Sequence, residues 1–81
     1  MKIVLSNRAL LAIADAPGPI RKAFHKQLAL LERDRRHPSL QAKKYDEAGG
    51  VWQARVNRDW RFYFTIEADA YMIHRVTPHP K

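Results

Sequence analysis

With 81 residues the chain has room for one domain, residues 1–81, and one modest hydrophobic core. It contains no cysteine, which excludes a disulfide framework and a cysteine-based zinc site. Fifteen Lys and Arg against eight Asp and Glu give a net charge of +7 and a pI near 10.3, a balance that favours a polyanionic partner, with nucleic acid first and an acidic protein able to mask the same face.

The N-terminal apolar stretch is interrupted by Ser6, Asn7 and Arg8, which does not fit a signal peptide. No apolar run approaches a membrane span. A cytoplasmic protein with no membrane partner is therefore expected.

In chain order, "KIVL" reads as a first strand. Ser6 is a helix N-cap, and "NRALLAIADA" carries about two turns of helix before Pro17-Gly18-Pro19 breaks it. Ile20, Phe24, Leu28 and Leu31 then recur at spacings of four, four and three, one face of an amphipathic helix running to about Arg36. His37-Pro38 ends that helix, because the residue before a proline avoids the helical region. The stretch "RRHPSLQAKKYDEAGG" reads as a connection, with Leu40 plugging the core.

Three strands follow, at about residues 51–56, 60–66 and 70–76. They are expected to form an antiparallel meander with the two helices on one face and the first strand in the same sheet. The fold class is α+β, in the order β-α-α-β-β-β.

If Asn57-Arg58-Asp59 is a three-residue hairpin loop, Arg55 lies opposite Arg61 and Gln53 opposite Tyr63. Trp52, Ala54, Val56, Trp60, Phe62, Phe64 and Ile66 then face the helices, and Gln53, Arg55, Arg61 and Tyr63 face away. Like charges directly opposite destabilise a strand pair. The arrangement makes sense if an anion sits between the guanidiniums, whose planar forks match phosphate oxygens. Neutralisation by Glu47 or Asp59 is the plainer alternative. Tyr63 offers a ring for a base to stack on.

His79 follows the last strand in "VTPHPK" and brings a proton-exchanging group to the same sheet edge. The histidines at 25, 37, 74 and 79 lack metal-ligand spacing, and no phosphate loop or HExxH is present. No metal or other cofactor is expected.

The segment "HPSLQAKKYDEAGGVWQARVNRDWRFYFTI" resembles the RelE/ParE toxin superfamily of bacterial toxin–antitoxin systems. It carries the "HPSL..KK" approach, the glycine before the next strand, the R-V-x-x-D-aromatic-R core and a basic or histidine tail. The resemblance implies a small sheet with two N-terminal helices. For RelE-like members it implies a metal-independent endoribonuclease acting on mRNA at the ribosome and neutralised by an acidic antitoxin protein. It assigns Arg55 and Arg61 to the scissile phosphate and His79 to the catalytic position in the tail; in the mechanism expected from this, His79 transfers a proton with Glu47 as its counterpart. Lys43, Lys44, Gln53, Tyr63, Arg75 and Lys81 make up the RNA-binding set. Gln53 stands where many members carry arginine or lysine, and Pro80-Lys81 stands where several nucleases have a C-terminal tyrosine. Two other readings therefore stay open: a ParE-like gyrase-inhibiting toxin, and a catalytically inactive binding module of the same fold.

Overall fold

The computed structural model describes residues 1–79. Lys2–Leu5 forms strand β1 and Asn7–Asp15 helix α1. Ser6 caps α1 as expected, its Oγ accepting the Ala9 N–H at 3.1 Å and donating to the His74 carbonyl at 3.2 Å. That one hydroxyl ties the start of α1 to the far end of the chain.

Helix α2 runs over Gly18–Arg33 and buries Ile20, Phe24, Gln27 and Leu31. Two details differ from expectation. Gln27 occupies the core stripe, while Leu28 is only half-buried at its edge. The helix also stops three residues before Arg36, at Asp34, whose Oδ1 accepts the Arg36 N–H at 3.0 Å. An aspartate that bonds the backbone two residues ahead offers it a turn in place of another helical bond.

A single 3₁₀ turn, Pro38–Leu40, follows and inserts the fully buried Leu40 into the core. Strands β2 (Lys43–Asp46), β3 (Val51–Arg55), β4 (Trp60–Glu67) and β5 (Ala70–Pro78) complete the chain. They form one five-stranded sheet in the order β1-β5-β4-β3-β2, with β1 parallel to β5 and every other pair antiparallel. The expected sheet is present, with one strand more than β-α-α-β-β-β allows. All four residues of β2 are exposed, so the strand has no apolar alternation to announce it. It forms because β3 offers an edge, and its own outer edge carries lysine, which discourages further pairing.

The core lies between the helices and the inner sheet face. Ala54, Val56, Phe62 and Phe64 point there, with Trp52, Trp60 and Ile66 packed around them. Phe24 of α2 meets Phe62 edge-on at 5.6 Å, and Phe64 meets Tyr71 edge-on at 5.5 Å. Each fully buried phenylalanine contributes about 1.5–3 kcal/mol relative to exposure.

Strand β5 runs two residues past the expected end at Val76, and it carries a bulge. Tyr63 pairs with Arg75 but Phe64 pairs with Ile73, leaving His74 as the extra residue. Tyr71 and Ile73 are buried before the bulge and Val76 after it. His74 and Arg75 thereby both reach the outer face. Among the described residues no helix is long and apolar enough to cross a membrane.

Ser6→Ala removes a helix cap and a hydrogen bond together. The expected loss is about 1–2 kcal/mol, read as a lower urea midpoint at unchanged m value, with Ser6→Thr close to the parent. An unchanged midpoint in the alanine variant contradicts this role.

Candidate nucleic-acid interface

The outer sheet face is where the charge gathers. Arg55 and Arg61 are direct partners across the β3–β4 hairpin, and Gln53 is opposite Tyr63. The loop that sets this register is closed by Asn57, whose Oδ1 accepts the N–H groups of Asp59 at 2.8 Å and Trp60 at 2.9 Å. The turn leaves backbone carbonyls aimed at the next strand. Arg61 Nη1 donates to those of Asn57 (2.8 Å), Trp60 (3.0 Å) and Arg58 (3.2 Å).

These are neutral acceptors. They orient the guanidinium without cancelling its charge and leave its other nitrogens for an anion. Among the described residues no carboxylate pairs with Arg55 or Arg61, so neither Glu47 nor Asp59 acts as their counterion.

Arg55 is positioned from behind. The side chain of Gln27, buried in the core, donates to the Arg55 carbonyl at 2.9 Å and to the Ser39 carbonyl at 3.0 Å. One amide therefore holds the end of β3 and the 3₁₀ turn to α2. Immediately after that turn, Gln41 adopts a left-handed backbone (φ 45°), a region that a side-chain-bearing residue enters at a cost. This bend brings Gln41 to the site.

His79 is also held. Its N–H donates to the Asp59 carbonyl at 2.7 Å, one step beyond the Trp60–Pro78 pair. The ladder thus extends past the strand and lays the imidazole beside the hairpin.

Gln41, Lys43, Gln53, Ala54, Arg55, Arg61 and His79 line one cleft of about 150 Å³. It brings together Arg55, Arg61, His79, Lys43 and Gln53, all singled out from the sequence. Gln53 is more covered than its outward position suggested, being buried. Its Nε2 donates to the Tyr63 hydroxyl at 3.5 Å, a long bond.

The other expected residues lie elsewhere. Glu47 sits in the β2–β3 turn, where its carbonyl accepts the Gly50 N–H at 3.2 Å, and it does not line this cleft. Arg55 is four residues along β3 from Val51, roughly 13 Å at strand rise. The structure does not bring Glu47 into the cleft that holds His79. Lys44 pairs with Trp52, its Nζ 5.1 Å from the indole centroid, which places it on the opposite sheet face from Lys43. Two adjacent lysines are split because they belong to a strand. Tyr63 and Arg75 are neighbours on the outer face but line a second cleft. Lys81 lies outside the described residues.

Gln41 and Gln27 were not singled out. Gln27 did leave a signal, a polar residue between Phe24 and Leu31 on the apolar stripe. Gln41 left none, since its place depends on the 3₁₀ turn. Among the described residues no group of three or more His, Asp or Glu is placed to hold a metal ion.

No protein-family model matches the sequence, and no curated protein matches it. Its structure is similar to several solved ones. The YoeB/ParE toxin from Agrobacterium tumefaciens superposes with a TM-score of 0.82 at 12% identity, covering 99% of this chain and 100% of that one. A chain of the archaeal RelE–RelB complex from Pyrococcus horikoshii OT3 gives 0.79 at 16% identity, covering 95% and 92%. A chain of the RelB–RelE antitoxin–toxin complex from Methanococcus jannaschii gives 0.76 at 16% identity, covering 93% and 88%. The chain has the RelE/ParE-like fold.

Gln27→Leu keeps the apolar packing but leaves the Ser39 and Arg55 carbonyls without this donor. The expected cost is about 1–3 kcal/mol, with amide NMR shifts concentrated around Arg55 and Gln41. A variant as stable as the parent, with an unmoved Arg55, removes Gln27 from the account.

Proposed function

We propose that this chain is the toxin of a toxin–antitoxin pair and acts in the cytoplasm as a metal-independent endoribonuclease on mRNA, on the ribosome. The observation that carries this reading is the convergence of Arg55, Arg61, Lys43 and His79 on one cleft, on a chain of net charge +7. The shared fold and the motif resemblance point the same way.

In this reading the scissile phosphate lies between Arg55 and Arg61. The ribose 2′-oxygen attacks phosphorus and the bond to the 5′-oxygen breaks, giving a 2′,3′-cyclic phosphate and a 5′-hydroxyl. One proton leaves the 2′-oxygen and one arrives on the 5′-oxygen. His79 carries one of these transfers, since its imidazole lines the cleft beside the arginines. The guanidiniums stabilise charge that grows on the phosphate oxygens, and that of Arg61 is oriented by the turn carbonyls before substrate arrives. Lys43 holds the backbone from the edge strand, and Gln53 supplies an amide where a cation would bind more tightly and less selectively.

An acidic antitoxin fits the same face. Two of the structural neighbours are described as complexes with RelB, and one of those as an antitoxin–toxin complex. The antitoxin supplies carboxylates to the uncompensated arginines, which is how a polyanion mimic blocks a phosphate site.

The test is primer extension on mRNA incubated with the protein and translating ribosomes. His79→Ala is expected to lower the cleavage rate about 100- to 10,000-fold and to leave RNA affinity nearly intact. Arg61→Ala costs about 100- to 1,000-fold in rate and flattens the salt dependence of RNA binding by about one unit. His79→Gln does not rescue the rate, because glutamine cannot exchange a proton. Parent-like cleavage in the His79 variants removes His79 from the mechanism. A parent that cleaves no RNA but blocks DNA supercoiling by gyrase puts the ParE-like reading in its place.

A further inference from the structure

The outer sheet face carries a second cleft, lined by Tyr45, Asp46, Val51, Tyr63, His74 and Arg75. It adjoins the arginine cleft. Tyr63 is paired with Gln53 on one side and with Arg75 on the other, and the Gln53–Tyr63 contact is the wall between the two hollows. Along β4, Tyr63 is two residues from Arg61, roughly 7 Å at strand rise. That is a step one nucleotide can span.

The lining of the second cleft differs in kind from the first. Its floor is aromatic. Tyr45 is exposed, and its ring packs edge-on against Tyr63 at 4.9 Å. The Arg75 guanidinium lies over the Tyr63 ring, 5.9 Å from its centroid. Aromatic faces of this kind hold nucleobases by stacking, whatever the base.

Its polar groups are fixed before any ligand arrives. His74 is the extra residue of the β5 bulge, which turns it outward with Arg75. Its Nε2 is 2.8 Å from Thr65 Oγ1, and that hydroxyl donates to Glu67 Oε2 at 3.0 Å. A hydroxyl has one proton to give, so Thr65 accepts from His74 Nε2–H. In the neutral form of the ring Nδ1 is then the acceptor. Asp46 is held at the rim by the Gly49 N–H, which its Oδ1 accepts at 3.2 Å, and Oδ2 remains for a donor.

We propose that this second cleft is a nucleobase subsite, occupied by the base of the nucleotide adjoining the phosphate between Arg55 and Arg61, and that Asp46 and Arg75 select guanine there. The inference rests on the RNA-binding part of the proposed function and not on cleavage. Asp46 accepts and does not donate. Guanine sets N1–H and N2–H side by side, with O6 next to them as an acceptor for Arg75. Uracil flanks its single N–H with two carbonyl oxygens that repel a carboxylate. Adenine and cytosine set a ring-nitrogen acceptor beside their amino group. Stacking supplies affinity for all four bases, and the edge contacts supply the difference.

The experiment is titration of the purified protein with GMP, AMP, CMP and UMP, followed by side-chain and amide NMR, with inorganic phosphate as a fifth probe. GMP is expected to bind about tenfold more tightly than the other three, moving signals of Tyr45, Tyr63 and His74. Asp46→Asn keeps the Gly49 contact and removes the preference, while inorganic phosphate binds as to the parent. Tyr45→Ala weakens all four nucleotides. Equal affinity for the four, a preference that survives Asp46→Asn, shifts confined to the arginine cleft, or no nucleotide binding at all overturns the subsite. A GMP preference in a protein that cuts no RNA sustains the subsite and fails the nuclease reading. Cleavage without any base preference does the reverse.

Discussion

Two arginines face each other across a hairpin with no carboxylate between them among the described residues. In water-exposed strands such a pair costs about 0.2–1 kcal/mol against a neutral pair. The chain meets that cost in three places. The Asn57 turn fixes the register and offers carbonyl dipoles to Arg61. The buried Gln27 holds the backbone of Arg55 from within the core. The tail is drawn onto the hairpin by the His79–Asp59 bond, although this brings another group to the same spot. A fold selected for stability alone has simpler options at each of these positions. Together they hold a cationic cleft in a geometry that an anion completes.

The rest of the outer face is organised around that cleft. The bulge in β5 interrupts a regular ladder, and the interruption brings His74 and Arg75 out beside Tyr63. The extra edge strand carries Lys43 to one cleft and Tyr45 with Asp46 to the other. The helices take no direct part on this face. Apart from the hold of Gln27 on the Arg55 carbonyl, they serve to bury Phe62 and Phe64, the inward residues of the strand from which Arg61 and Tyr63 project outward.

The hairpin was readable from the sequence because two signals agree there. Strict alternation from Trp52 to Ile66 and a short polar loop admit one register, and a slip by one residue turns Trp52, or Trp60, Phe62 and Phe64, out to water. Ser6, Leu40 and the Pro17–Pro19 break were readable for similar local reasons. Strand β2 was not, because "KKYD" buries nothing and pairs through its backbone alone. That omission carried into the site: without a strand, Lys43 and Lys44 look equivalent and Glu47 looks near. The β5 bulge was equally hidden, since one extra residue in a ladder leaves no trace in composition. Gln27 stood in plain view on an apolar stripe, but its partners, Ser39 and Arg55, lie 12 and 28 residues away in the chain.

Arg55 and Arg61, like charges in register across the hairpin, repel each other until an anion sits between them. Thermal unfolding of the parent and of Arg55→Thr, at low ionic strength with and without inorganic phosphate, tests this repulsion most directly. Without phosphate the variant is expected to melt a few degrees higher than the parent, about what a fraction of a kcal/mol gives in a chain of this size. With phosphate the parent gains stability and the variant does not, because only the parent binds the ion in its folded state. A variant that melts lower than the parent without phosphate, and gains as much from phosphate as the parent does, contradicts the account.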